Sequence, residues 1–264
     1  MSHSALNQFV DEVEAADDDG GGGEGCGPTL VVVNRTEPDP IQRMLDSLFE
    51  GQSVSVREAA VADLDDDVVL LLRDDAVVAA STLDALERSV LLVNSDRYIT
   101  GTGGVGATDP PAVLTALRDT AFRVRGYPAS NSEKLPMILL SRYVERLAWE
   151  GGSGSLRSAF QRLSRIEDER GTRQVYAQLG ATDLDVHVYG VPDCDLPPSV
   201  DATVHANDSE EYRRSWFVVY VPEEPDCRHA ALVATELAPN EWHGMWTFDR
   251  DRVERVDRYV ARRL

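Results

Sequence analysis

His187 is the side chain best suited to move a proton near neutral pH. Asp185, two residues before it, or the more distant His229 would be its partner in a catalytic pair. Three thiols (Cys26, Cys194 and Cys227) and five imidazoles (His3, His187, His205, His229 and His243) are the soft metal ligands. Cys227 and His229 lie two apart, on one side of a strand, and Cys194, His187 and His205 could join them around a metal. No CxxC or HxxxH spacing supports such a site, so no metal is expected. Dispersed thiols also make no disulfide framework.

The remaining motifs lack the context their chemistry needs. GTGGVG at 101–106 fits the dinucleotide fingerprint in letters, but ATDPP separates its glycines from the next helix, so a plain loop is expected. Gly152-Ser153-Gly154-Ser155 follows a helix and not a strand, which excludes a nucleophile elbow. There is no Walker A motif, and Asp74 and Asp75 sit in a hairpin turn, the wrong place for a receiver phosphoacceptor. No catalytic residue and no cofactor are expected.

Binding is better served. Arg142, Glu145 and Arg146 share one face of a helix. They either form a solvated face or point Arg142 and Glu145 into a pocket between helix and sheet. Trp149, Trp216, Trp242 and Trp246 all fall in the second half, where they serve as core or as a stacking wall. The expected cleft takes its polar contacts from Arg142, Glu145, Gln161 and Arg165. Tyr189, Trp216 and Trp246 would supply stacking, so that Trp246→Ala should weaken binding more than folding.

The elements that must hold these residues follow from periodicity. Ser4–Ala15 reads as a helix with Leu6, Phe9, Val10 and Val13 on one face, followed by a glycine- and acid-rich linker over Asp17–Pro28. Thr29–Asn34 is a buried strand. Asp39–Pro40 opens a helix that Gly51 ends. Val68–Leu72 and Ala76–Ala79 form a hairpin, and Ser81 or Thr82 caps a helix to about Leu92. A helix at Pro110–Leu117 and a strand at Phe122–Val124 follow.

Lys134–Glu150 is a long helix, and GGSGS loops it to a second helix with Leu156, Ala159, Phe160, Leu163 and Ile166 inward. Thr172–Leu179 is a third helix, closed by Gly180. Strands are expected at Val186–Tyr189, Ser215–Val221, His229–Glu236 and Met245–Phe248, then a last helix burying Val253, Val256 and Val260.

Net charge is −20 over 264 residues, and Lys134 is the single lysine. Dispersed acid with almost no lysine suits a salt-rich cytoplasm, where repulsion is screened. It also opposes binding to a phosphate backbone. The longest apolar runs, such as Val68–Leu72 and Met137–Leu140, are far short of the ~18 residues that span a bilayer. The start, MSHSALNQFVDEVEAA, has no basic or apolar region of a secretory signal. A cytoplasmic protein with no membrane or nucleic-acid partner is expected.

Six segments, in order, carry a resemblance: EKLPMILLSRYVERLAWE, FQRLSR, TRQVY, VHVYGVPD, SWFVVY and HGMWTFD. The stretch from about 132 to 262 resembles the DICT sensory domain, found with diguanylate cyclases and two-component proteins. The first half, from TLVVVNRTEPDPIQRML to RGYPASN, looks like the N-terminal part of halophilic archaeal members. The resemblance implies a non-enzymatic sensory input module, with no established ligand. No output domain follows, so a partner protein supplied in trans is expected to act with an unknown small-molecule effector. The alternatives are an interaction module without ligand, or an uncharacterised enzyme.

The expected organisation is an N-terminal helix and linker over 1–27, an α/β region over 28–131 and a DICT-like core over 132–264. The expected fold class is α+β (mixed α/β). Helices pack on a mostly antiparallel sheet closed by a C-terminal helix, and the N-terminal half extends the same sheet.

Overall fold

In the computed structural model, residues 6–19, 27–36, 46–94, 109–126, 129–130, 133–168 and 170–264 are described. The GTGGVG stretch, Cys26, His3 and most of the helix expected after Asp39 lie outside them; of that helix, 46–49 is helical, and Gly51 (φ 72°) follows it.

In chain order the elements are α1 (Asn7–Asp19), β1 (Thr29–Val33), β2 (Ser55–Ala59), β3 (Val68–Arg73), β4 (Ala76–Thr82), α2 (Leu83–Asn94), α3 (Ala112–Ala116) and β5 (Phe122–Arg125). Then come α4 (Leu135–Gly151), β6 (Ser153–Arg162), α5 (Ser164–Asp168), α6 (Arg170–Leu179), β7 (Asp183–Val191) and β8 (Thr203–Ala206). The chain closes with α7 (Glu210–Arg214), β9 (Ser215–Val221), β10 (Ala230–Ala238), β11 (Glu241–Thr247) and α8 (Arg250–Arg263). This is the expected α+β class.

The strands make two sheets, with orders β2-β1-β3-β4 and β5-β11-β10-β9-β6-β7-β8. The expectation that the N-terminal half extends the large sheet holds for one strand only. β1–β4 pair with one another in a sheet of their own, and only β5 crosses over, pairing antiparallel with β11. The large sheet is antiparallel from β5 to β6 and parallel across β6, β7 and β8. Strands β2 and β8, which periodicity did not find, are exposed edge strands with little apolar alternation.

Side chains alternate across the large sheet as a period of two requires. Leu232, Ala234, Trp242 and Trp246 point to one face, where they pack with Leu139 and Leu140 of α4 and with Leu30, Val32 and Leu71 of the small sheet. Ala231, Val233 and Met245 point to the other, against Phe9, Val10 and Val13 of α1 and Val253, Val256 and Val260 of α8. Strand β9 is covered on both faces, which is why SWFVVYV is apolar throughout.

The helix expected after GGSGS is corrected. Residues Ser153–Arg162 are a strand, central in the sheet between β7 and β9. Gly152, at φ 69°, ends α4 in the left-handed conformation that glycine adopts without strain. The chain then turns directly into the sheet. Only Ser164–Asp168 of the expected second helix is helical.

Candidate functional site

Helix α4 lays its apolar stripe, including Leu140, Val144 and Ala148, on the sheet. Ser141 and Glu145 are buried on the same helix, one turn apart. The solvated-face reading of Arg142, Glu145 and Arg146 is thereby overturned. Side-chain exposures are 16% for Arg142, 3% for Glu145 and 11% for Arg146.

A buried carboxylate is costly unless paired. Glu145 accepts from Arg142 Nη1 at 2.7 Å and from the Tyr176 hydroxyl of α6 at 3.0 Å. Burial, and then the Glu145 carboxylate, hold the Tyr176 hydroxyl well above its ordinary range, so it stays a donor. Arg142 also donates to the Thr172 hydroxyl, which ties α4 to α6.

Opposite α4, β6 is interrupted. Its register with β7 slips between Ala159 and Arg162, and Gln161 sits in the left-handed region at φ 57°. A non-glycine residue there is uncommon and costs free energy that the surroundings must supply. The bulge buries the Gln161 amide. Its Nε2 donates to the Ser215 carbonyl at 2.7 Å, and its Oε1 has no partner.

Between these walls lies a cavity of about 200 Å³, whose lining includes Ser141, Arg142, Glu145, Gln161 and Thr172. Trp216 of β9 and Trp242 of β11 close one end, edge to face at 5.7 Å and 90°. The Lys134 ammonium, at the start of α4, stands 4.8 Å from the Trp242 ring centre and 5.7 Å from that of Trp216. Burial, and then Arg165, hold this ammonium below its ordinary range. Three buried polar atoms of the lining have no partner: Ser141 Oγ, Gln161 Oε1 and Trp242 Nε1.

Five of the seven expected binding residues thus meet at one cavity: Arg142, Glu145, Gln161, Arg165 and Trp216. Two do not. Tyr189 points to the opposite face of the sheet, stacked on His205 at 4.3 Å and accepting from Arg157 at 3.1 Å. Trp246 shares the Trp242 face but lies two pleats further along β11. There it stacks on Phe122 at 4.7 Å and is 1% exposed in the core. It is a packing residue, which corrects the expectation that its loss weakens binding more than folding.

Lys134, Ser141, Phe160 and Thr172 were not foreseen as lining residues, and Trp242 was considered only with the other tryptophans as core or stacking wall. Lys134 had one signal, since the chain's single lysine opens the long helix.

His187 does meet Asp185, with Nε2 and Oδ2 2.9 Å apart, and its Nδ1 lies 3.0 Å from His205 Nε2. His229 is not in this group; it faces Glu254 at 3.7 Å. Of the cysteines and histidines considered for a metal, His187 and His205 meet, and among the described residues no third one joins them. Among the described residues, the one grouping of three potential ligands is Asp11, Glu14 and His243, where Arg123 already pairs with Glu14 at 3.1 Å.

The walls of the cavity from α4 through β9 fall in one continuous stretch of sequence, and that stretch matches a known family. Residues 112–237 match DICT, described as a sensory domain in diguanylate cyclases and two-component systems. The DICT match covers just under half of the chain. It takes in α3, β5 and all the cavity residues except Trp242, and leaves the small sheet outside.

No curated protein matches the chain. Among solved structures, the polyphosphate kinase from Porphyromonas gingivalis is similar at a TM-score of 0.35 and 10% identity, over 96% of this chain and 48% of that one. The chain therefore spans about half the length of that kinase, and the likeness is too slight to carry a function across. Among the described residues, no helix is long and apolar enough to cross a membrane.

Proposed function

We propose that this protein is a sensory input module that takes a small effector into the cavity between α4 and the large sheet. It would pass the signal on through altered association with a partner protein. The observation that carries this reading is that three residues lining one cavity each carry a buried polar atom without a partner: Ser141 Oγ, Gln161 Oε1 and Trp242 Nε1. Leaving such an atom unsatisfied costs about 1–3 kcal/mol, and a bound polar molecule would recover part of that. The DICT match supports a sensory and not a catalytic role. An effector shifts a conformational equilibrium only by binding one state better than the other. Helix α4 is a suitable lever, since it touches both the cavity and the core shared with the small sheet.

Denaturing the purified protein and identifying released small molecules by mass spectrometry tests this reading. One compound near stoichiometric amount is expected, and Ser141→Phe, which fills the cavity from α4, should abolish its retention. The same compound retained by Ser141→Phe and by Trp216→Ala would place binding elsewhere.

An interaction module without ligand is a second reading, favoured by edge strand β4. Val77 and Val78 there are 56% and 48% exposed. In that case Val77→Lys would abolish partner capture while leaving small-molecule retention at zero in both proteins.

A further inference from the structure

The polar atoms of the cavity also specify what kind of molecule would satisfy them, given the effector reading above. Its charge comes first. The lining brings three cations, Lys134, Arg142 and Arg165, and one carboxylate, Glu145. Arg142 and the Tyr176 hydroxyl already serve Glu145. Neither Lys134 nor Arg165 has a carboxylate in ion-pair contact among the described residues. A chain of net charge −20 thus places its single lysine at this cavity with no carboxylate in contact, and only Glu236 acts on it from further away. The two tryptophans hold that ammonium in place. A cationic ligand is disfavoured, because Lys134 already stands over these aromatic rings and would repel it.

The hydrogen-bond pattern comes second. The Ser215 carbonyl fixes the Gln161 Nε2 end, so the unpartnered end is an acceptor and asks for a donor. Trp242 Nε1 can only donate and asks for an acceptor. Ser141 Oγ serves in either sense. Size comes third. At about 200 Å³ the cavity is below the range of ~300–1,000 Å³ that holds drug-sized ligands, which rules out a dinucleotide.

We infer that the effector is a small organic anion. Its carboxylate or phosphate pairs with Lys134 and Arg165, and an N–H or O–H of the same molecule donates to Gln161 Oε1. Trp242 Nε1 and Ser141 Oγ bind its remaining oxygen or nitrogen acceptors.

The test uses the full chain at fixed ionic strength and matched probes that differ in charge: orotate against uracil, nicotinate against nicotinamide, and glycerol phosphate against glycerol. Binding is read by calorimetry. Protection of Lys134 from acetylation is read by mass spectrometry, with the chain's terminal amine as internal reference. At least one anion should bind about tenfold or more tighter than its neutral partner and should slow acetylation of Lys134. Lys134→Met and Arg165→Met should each weaken that anion about tenfold, and Lys134→Arg should restore most of the affinity. Thermal melts of the unliganded variants separate lost binding from lost folding.

A neutral probe binding as tightly as its anion, unaffected by Lys134→Met, overturns the anion inference and leaves the effector cavity standing. No binding and no protection by any probe overturns both.

Discussion

Gln161 shows how much one residue can reveal when its backbone, its two amide ends and its neighbours are considered together. Its left-handed conformation falls at the strand bulge, the Ser215 carbonyl orients its amide, and the leftover oxygen is buried without a partner on a residue that lines a cavity. None of the three is visible in the letters FQRLSR, and the expectation that Gln161 makes a polar contact rested on helical spacing that does not exist. Trp216 and Trp246 divide along similar lines. Both are tryptophans on the same face of the sheet, but only Trp216 reaches the cavity. Trp246→Ala should cost about 3–5 kcal/mol of stability, as buried aromatic truncations do. Trp216→Ala, half-buried at the cavity wall, should lower stability less and affinity more; urea unfolding beside ligand titration distinguishes them.

Titration gives a further prediction at this scale. Burial lowers His229 and His243 below their ordinary 6.5, and in each ring the Nε2 is buried without a hydrogen-bond partner. A group whose folded pKa is depressed binds its proton more weakly folded than unfolded. Its contribution is therefore present above the unfolded pKa and is lost as pH falls through it. The urea midpoint should drop from about pH 6.5 downward, and His229→Gln should make that drop shallower. An unchanged slope would remove His229 from the account.

At the scale of elements, strands with one plain pattern were legible and the interrupted one was not. Ser215–Val221 is a continuous apolar run because helices cover both of its faces. The α4 helix is regular and its stripe is unambiguous. Strand β6 is also covered on both faces, and its bulge shifts the parity of everything after Ala159. Two covered faces and one slip place Leu156, Ala159, Phe160 and Leu163 at spacings that mimic a helix. The glycines were the missed clue. Gly154 has φ 102°, and a Cβ there would lie 2.3 Å from the Val221 carbonyl oxygen. That requirement belongs to a strand start pressed on its neighbour, and not to a helix cap. Gly154→Ala should therefore destabilise by about 1–3 kcal/mol or more, read as a fall in the denaturation midpoint. A neutral outcome would mean that the β6–β9 junction is looser than described.

At the scale of the molecule, the family resemblance located the cavity's half of the chain, and general chemistry chose five of its residues. What neither could supply is how the small sheet joins. Leu30, Val32, Val69 and Leu71 of that sheet share one core with Phe122, Met137 and Trp246. The stretch matched to DICT begins at 112, but its hydrophobic surface is completed by residues before it. A fragment of residues 112–264 should accordingly expose this core and aggregate or lose its near-ultraviolet signal, whereas the full chain stays monodisperse on gel filtration. A well-folded fragment would make the small sheet an independent unit.

Helix α1 lies on the far face of the large sheet beside α8, with Phe9 against Tyr259 at 5.7 Å and Arg255 paired to Glu12 at 2.7 Å. Its docking surface is built from Val233, Met245 and Val256, which leave the ribosome long after it. At synthesis rates of ~5–20 residues per second, the first helix waits roughly 12 to 48 seconds for the partners that bury it. During that interval Leu6, Phe9, Val10 and Val13 have no native place to go. Its acidic neighbours Asp11, Glu12 and Glu14 are placed where like-charge repulsion would keep the waiting segment dispersed, a use of the chain's negative charge that precedes the folded state.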